Sequence, residues 1–380
     1  MKPAKRIVIL VLITQMLCLT GCWNYREVDS MSMVAGFAID KGKEGYRYHA
    51  TFEFLNLANG VMGSKLLETE GDTVFDCVRN AIGKSQKKLF FSDCKVVILS
   101  NEIASEGIAP LLDWLIRDTE PRINLNLFIS KEKTAGEILQ QKPITDQLAS
   151  LEIWRTLTEN TAGLGEAPDI RLYQAVNILS GEETSLTLPT VKLSTSNKEK
   201  VTELDGTAVF KKDKLIGYLT RDESKYFLFV TNQISGGLLV TSPENDGQNI
   251  SLEIHQNQTK ITPDISGGNP TFKIDTQLTA NLGEDQTSKN YVDENGLEKA
   301  QSSTEKSLNE RMLNIIQKVQ SQFGCDIFGF GSKIHQQSPE FWNKNKSNWN
   351  ETFRNLKCTV NSKVTILNTA TAKDKVKVGE

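Results

Sequence analysis

The sequence predicts a mixed α/β (α+β) protein with several domains. Strand and helix patterns alternate in its N-terminal third, which is typical of layered α/β folds. The C-terminal third has several strand patterns separated by polar turns and one long helical pattern, which together indicate an antiparallel sheet packed with a long helix. At 380 residues the chain also exceeds the size at which a single hydrophobic core usually stops growing. We therefore expect two or three domains.

The first 21 residues form a separate segment with the pattern of a secretory signal peptide. Three basic residues precede an apolar run at 7–19, which is short for a spanning helix of about 20 residues. The run ends in Leu-Thr-Gly-Cys, which resembles a bacterial lipobox. We predict cleavage between Gly21 and Cys22 and a diacylglyceryl group on the Cys22 thiol, which N-acylation could follow. Two acyl chains would anchor the protein stably to a membrane.

The alternative is that Cys22 is an ordinary thiol that follows a general secretion signal. That alternative does not explain why basic residues, an apolar run of this length, two small residues and a cysteine occur together. Removal of residues 1–21 deletes three basic residues and no acidic ones. The formal net charge therefore falls from −3 for the whole chain to −6 for the mature chain. A mildly acidic protein argues against nucleic acid as a partner.

Beyond the anchor, the cysteines are widely spaced and match no zinc motif. An even number outside the cytoplasm permits disulfides in three connectivities, although a chain of this length does not need them for stability. We favour buried free thiols at Cys77, Cys94, Cys325 and Cys358.

The predicted N-terminal α/β domain covers 22–142. It has strand patterns at 33–40, 46–55, 95–99 and 124–130 and helical patterns at 73–82, 108–116 and 134–141. The predicted middle region covers 143–235. It has helical patterns at 148–158, 170–179 and 221–230, a strand at 190–193 and a β-hairpin at 206–219.

The predicted C-terminal domain covers 236–371. It has strand patterns at 238–241, 249–255, 259–264, 271–282 and 359–367 and a helical pattern at 293–323. The apolar stripe of this long helix is confined to its second half. We expect its polar first half to project into solvent or to pair elsewhere. The tail at 372–380 is small and charged and is predicted to be disordered.

No catalytic, cofactor or metal signature survives inspection of the motifs. Gly329-Phe330-Gly331 follows a helix instead of a strand, so a tight backbone approach explains the glycines better than a nucleotide does. His49, His255 and His335 lack the spacing that would place two metal ligands on one face. No Gly-x-Ser-x-Gly elbow is present. The residues alone predict a lipid-anchored, non-enzymatic protein outside the cytoplasm.

The chain resembles, nearly end to end, the Ger(x)C family, the lipoprotein C subunits of spore nutrient germinant receptors. The resemblance begins with Gly-Cys-Trp-Asn-x-Arg-Glu around the acylated cysteine. The similar segments are Gly21 to Glu27, Gly36 to Asp40, Leu89 to Ser92, Gly107 to Arg117, Gly206 to Gly217 and Asp326 to Gly331. The family often has His after the serine that corresponds to Ser92, whereas Asp93 and Cys94 follow here.

This resemblance implies three α/β domains and no catalytic activity. It also implies an anchor in the spore inner membrane, with the soluble part on the outer face, and assembly with the integral membrane A and B subunits of a receptor. The expected role is receptor assembly or signalling in nutrient-triggered germination.

Two other functions were weighed against this one. A lipid-anchored solute-binding protein of a transporter would have two similar lobes around a ligand cleft, whereas the sequence indicates unequal parts. A wall hydrolase would require paired carboxylates or a metal site, and no pattern of that kind is found in the sequence.

Overall fold

The computed structural model describes residues 3–5, 30–58, 61–85, 87–243, 248–287, 291 and 294–367. The predicted cleavage at Gly21, the predicted lipidation of Cys22 and the predicted disorder of 372–380 lie outside these residues. Within them, strands and helices alternate and build two sheets, which confirms the mixed α/β class.

The larger sheet contains nine strands in the order β3-β2-β1-β5-β6-β7-β8-β9, with β4 paired to β1. Its strands are β1 Met31–Lys41, β2 Tyr48–Ala58, β3 Val61–Gly71, β4 Lys88–Phe90, β5 Val96–Leu99, β6 Asn126–Ser130, β7 Thr187–Ser196, β8 Glu199–Lys211 and β9 Lys214–Leu219.

Strands β1, β5, β6 and β7 run parallel in the middle of this sheet, and antiparallel strands flank them on both sides. Every residue of β5 is fully buried, as expected for a parallel strand covered on both faces. The covering and connecting helices are α1 Val74–Ser85, α2 Asn101–Glu106, α3 Ala109–Arg117, α4 Gly136–Leu139, α5 Ala149–Gly163, α6 Leu172–Ser180 and α7 Arg221–Val230.

The predicted segments 22–142 and 143–235 share this sheet, because β6 pairs with β7 through Ile129 and Thr190. Parallel neighbours need a crossover of a dozen or more residues, and here the crossover contains α4, α5 and α6. Strand β3 had no sequence prediction. It is an edge strand with mostly exposed or half-buried side chains, so its sequence lacks an apolar signal.

The smaller sheet has the order β10-β11-β12-β13 and packs with the long helix. Its elements are β10 Gly237–Thr241, β11 Ile250–Asp264, β12 Thr271–Asp285 and β13 Lys357–Ile366, with helices α8 Glu294–Lys318, α9 Phe330–Gln337, α10 Pro339–Asn345 and α11 Trp349–Arg354. A π-helical turn, Val319–Phe323, continues α8 to Gly324, which has a left-handed φ of 58°.

Two strand predictions in this sheet were wrong. Residues 249–255 and 259–264 form the single strand β11 with a bulge after Ile254. The polar segment Gln256–Gln258 continues the ladder opposite β12, so its backbone is paired and no turn forms. The last strand, β13, pairs parallel to β12, so the sheet is mixed and not wholly antiparallel. The intervening helices α8 to α11 carry the chain back to the same end of the sheet.

The C-terminal core is rich in aromatic side chains. The Phe272 and Phe330 rings stack with centroids 4.4 Å apart, and the Trp342 and Trp349 rings meet edge to face at 5.4 Å. Both tryptophans are buried. Leu219 of β9 joins the same core, so the two sheets are in direct apolar contact.

The long helix α8 has two differently used halves. Met312, Ile315 and Ile316 in its second half are buried, which confirms the predicted apolar stripe. In the polar first half, the Gln301 Oε1 accepts a hydrogen bond from the Ile366 N–H at 2.9 Å, and the Glu305 Oε1 accepts one from the Val364 N–H at 2.9 Å. The polar half therefore pairs with the backbone of β13.

Candidate functional site

The only functional residue predicted from the sequence, Cys22, lies outside the described residues. The first described residue after it is Ser30, and β1 begins at the next position, Met31. Between residues 22 and 30 there are eight Cα–Cα steps, which span at most about 28 Å even when fully extended. An acyl group on Cys22 would keep the start of β1 within about 28 Å of a lipid surface.

Asp40, at the end of the Gly36 to Asp40 segment, has a structural role. Its carboxylate accepts hydrogen bonds from the Ala135 N–H at 2.6 Å and the Gly136 N–H at 2.9 Å. Burial raises the pKa of Asp40, and these two bonds oppose that rise. The carboxylate thereby ties the end of β1 to the start of α4.

Glu53 is a second carboxylate used in this way, and its side chain is fully buried. It accepts bonds from the Ala149 N–H at 2.9 Å, the Ser150 N–H at 2.8 Å and the Ser64 hydroxyl at 2.7 Å. Helix α5 has no capping side chain of its own. A negative charge at a helix N-terminus is favourable because the first amides lack helical partners. Glu53 therefore caps α5 from β2.

Asp326 organises the segment Asp326 to Gly331. It accepts bonds from the N–H groups of Phe328 at 3.0 Å and Gly331 at 2.7 Å and from the Trp349 Nε1–H at 3.2 Å. Burial raises the pKa of Asp326 to about 6, although the amide and indole donors oppose the rise.

The glycines of this segment serve the backbone, as the sequence predicted. Gly329 has a φ of 76°, which favours glycine, and it precedes α9. A Cβ on Gly331 would lie 2.5 Å from the Glu183 carbonyl oxygen. Gly324, not this pair, ends the long helix.

The three histidines lie apart from one another. The His49 Nδ1 is 2.6 Å from the Glu70 Oε1, the His335 Nδ1 is 2.9 Å from the Glu183 Oε1, and His255 is exposed on β11. Burial raises the Glu183 pKa, but the His335 hydrogen bond and backbone amides outweigh it, so the net shift is downward. In the described part of the chain, no group of three His, Cys, Asp or Glu side chains is placed to hold a metal ion.

The four described cysteines are free thiols, as predicted. Cys77, Cys94 and Cys325 are buried and Cys358 is half-buried. Burial raises the pKa of Cys77, Cys94 and Cys358 to about 12 and that of Cys325 to about 11. Such thiols are protonated at neutral pH and are poor nucleophiles.

A polar seam joins the two sheets through the segment before β7. The Ser185 N–H donates to the Asp326 carbonyl oxygen at 2.6 Å, and the Lys346 Nζ is 2.7 Å from the Glu182 Oε2. Together with the Glu183–His335 pair, these contacts fix the C-terminal helices against the large sheet.

A charged groove between α7 and α8 contains two ion pairs. Its lining includes Arg311, which pairs with Asp222 at 2.9 Å, and Lys318, which pairs with Glu223 at 2.5 Å. Within the described ranges, no helix has the length and apolarity needed to span a bilayer.

The chain matches two models of spore germination proteins. Residues 24–193 match the model described as "Spore germination protein N-terminal domain", and residues 205–370 match "Spore germination B3/ GerAC like, C-terminal". This chain belongs to the Ger(x)C family.

The chain is also similar to two spore germination proteins and to one solved structure. Spore germination protein B3 of Bacillus subtilis (strain 168) is 26% identical over 354 residues, which cover 90% of this chain and 92% of that protein. Spore germination protein KC of the same organism is 22% identical over 375 residues, which cover 92% of each. The crystal structure of the GerBC protein shares the fold, with a TM-score of 0.58, 23% identity and coverage of 88% of this chain and 97% of that chain.

The family-like segments in the described residues have structural roles. Asp40 and Asp326 accept hydrogen bonds from backbone N–H groups. Gly206, at the start of the hairpin, has a φ of 94°, and a Cβ there would clash with the Leu219 carbonyl oxygen, so this position requires glycine. At the position where the family often has His, Asp93 pairs with Lys95 at 2.7 Å. Sequence reasoning missed Glu53, whose only signal is a charged residue inside an apolar strand.

Proposed function

We propose that this protein is a lipid-anchored C subunit of a spore germinant receptor, required for receptor assembly or signalling in nutrient-triggered germination. The match of both halves of the chain to spore germination models carries the proposal. The Leu-Thr-Gly-Cys ending at Cys22, placed immediately before the first matched residues, supports the lipid anchor.

The proposed location is the outer face of the spore inner membrane, with the integral membrane A and B subunits as partners. Diacyl anchoring would confine the protein to a thin layer beside them. Confinement raises effective concentration without new contacts, so weak interfaces suffice for assembly. The buried carboxylates Asp40, Glu53 and Asp326 are occupied by structural donors, which supports a non-enzymatic role.

A transporter-linked solute-binding protein is less well supported. That class has two similar lobes around a cleft, whereas this chain has a nine-stranded sheet and a four-stranded sheet of different topology. Four of the charged side chains that line the groove between α7 and α8 already pair with each other.

The anchor is tested by Cys22→Ala with radiolabelled palmitate in sporulating cells. We expect the variant to lose the label and to be released or kept at precursor length, because the acyl acceptor is removed. Cys18→Ala is the matched control, since it lies in the same segment and leaves the four lipobox residues intact. Labelling and processing of Cys22→Ala at the wild-type level would contradict the anchor.

A further inference from the structure

The position of β1 determines which end of the large sheet the anchor can reach. Strand β1 starts at Met31, which pairs with Lys88 at the start of β4. Because β1, β5 and β6 run parallel, the loops that enter them lie at one edge of the sheet. Lys88 also forms an ion pair with Glu120, which holds the loop before β6 at this edge.

The opposite edge is about one strand length away. The turn between β1 and β2, at residues 42–47, follows all eleven residues of β1, which extend for roughly 36 Å at 3.3 Å per residue. The eight steps from Cys22 to Ser30 span at most about 28 Å. The tether is therefore shorter than β1, and an anchor on Cys22 can bring the edge at Met31 to the lipid surface.

Three large apolar side chains are exposed at the edge near Met31. Ile116 in the last turn of α3 is 47% exposed, Ile123 in the loop before β6 is 60% exposed, and Tyr173 at the start of α6 is 44% exposed. The Tyr173 N–H donates to the Ile123 carbonyl oxygen at 3.0 Å, so these two residues are direct neighbours. Isoleucine and tyrosine are well suited to the apolar boundary beneath lipid headgroups.

Basic residues surround these apolar side chains. Lys84, Lys87 and Arg122 are exposed, and Arg117 and Lys88 lie beside them. The nearby acidic residues already have partners: Asp113 pairs with Arg117 at 2.7 Å, Glu120 pairs with Lys88, and Asp118 accepts the Glu120 N–H. Asp169 and Arg171 next to Tyr173 pair with each other at 2.8 Å. Among the described residues, Lys87 and Arg122 have no acidic partner, so they leave unpaired positive charge at this edge, although the mature chain is acidic.

We propose that this edge docks on an anionic phospholipid surface. Ile116, Ile123 and Tyr173 would enter the headgroup boundary, and Lys87 and Arg122 would lie against lipid phosphates. Basic residues are attracted to an anionic leaflet within about a Debye length, roughly 10 Å at 0.1 M salt, and a tether of at most about 28 Å allows this edge to approach the leaflet to that distance. The inference rests on the proposed acylation of Cys22 and adds a fixed orientation, in which the opposite turn points away from the membrane.

The full-length lipidated protein in vesicles tests this orientation. Hydroxyl-radical footprinting read by mass spectrometry would compare phosphatidylglycerol/phosphatidylcholine vesicles with pure phosphatidylcholine. We expect oxidation of Ile123 and Tyr173 to fall at least threefold on the anionic vesicles. Tyr46, which is 46% exposed in the opposite turn, is the internal reference and should not change. The mass of the N-terminal peptide reports the acyl group in the same sample.

Matched charge reversals distinguish protection that depends on the basic residues of this edge from protection that depends only on the acyl anchor. Lys87→Glu with Arg122→Glu should restore the reactivity of Ile123 and Tyr173, whereas Lys43→Glu with Arg47→Glu at the opposite turn should leave protection intact. An acylated protein on anionic vesicles with both residues still reactive would overturn the proposal. Protection seen only in membranes that hold other receptor subunits would also overturn it and indicate a protein partner. An N-terminal peptide without the acyl mass would remove the anchor and, with it, the proposed orientation.

Discussion

Burial and hydrogen bonding have opposite effects on the pKa of the Asp326 carboxyl group. Burial raises its pKa to about 6 from 3.8. Donors from Phe328, Gly331 and Trp349 stabilise the charged form but do not restore the ordinary pKa. This residue connects the end of the long helix to α9 and α11.

Asp326 should make stability depend on pH in a defined window. An acid whose pKa is higher in the folded state binds more protons when folded, so its contribution to stability is lost as pH rises between the two pKa values. From about pH 4 to pH 6 the wild-type protein should lose about 2 kcal/mol relative to Asp326→Asn, which cannot titrate. Urea unfolding of both proteins at pH 4, 5, 6 and 7 measures this. Parallel profiles would contradict the assigned pKa.

At the scale of elements, the long helix covers the β13 edge of the smaller sheet. The backbone of β13 is covered by α8, whose Gln301 and Glu305 side chains accept bonds from Ile366 and Val364. An uncovered edge strand exposes unpaired amides that template aggregation. The polar first half of α8 therefore protects the sheet edge as well as packing on it.

Replacing these two side chains should weaken the contact between helix and strand. The double substitution Gln301→Ala with Glu305→Ala leaves two amides of β13 without their acceptors, and we expect a loss of about 2–4 kcal/mol in the free energy of unfolding. Gln317→Ala, at an exposed position of the same helix, should change it by less than about 0.5 kcal/mol. Urea denaturation measures both, and equal losses would contradict the pairing.

Local patterns predicted the elements that have a clear apolar period. The predicted helices at 73–82, 108–116 and 221–230 correspond to α1, α3 and α7. Strand β11 was divided wrongly because its polar segment resembles a turn, and only its pairing with β12 makes it a strand. The direction of β13 was also wrong, since local sequence does not encode which end of a sheet the chain returns to.

Long-range contacts explain what sequence reasoning missed in the candidate site. Glu53 caps a helix whose first residues lie 96 and 97 positions further along the chain. No local pattern contains that pairing. The glycines of Asp326 to Gly331, by contrast, were interpreted correctly because a close backbone approach requires glycine at the position itself.

At the scale of the whole molecule, two sheets are joined by an apolar core and a polar seam. Leu219 joins the C-terminal core, and the Glu183–His335 and Glu182–Lys346 pairs close the seam. An anchor on Cys22 would lie nine residues before the start of β1, the third strand in the order of the large sheet.

The central claim is that this protein works in a nutrient germinant receptor. The most direct measurement is the germination of spores from a strain that retains a single receptor operon, with the gene for this chain deleted, exposed to amino acids, sugars and nucleosides. We predict at least a tenfold slower response to one nutrient class, a normal response to a non-nutrient trigger, and rescue by the wild-type gene but not by Cys22→Ala. Unchanged germination with every nutrient that this single receptor recognises would contradict the claim.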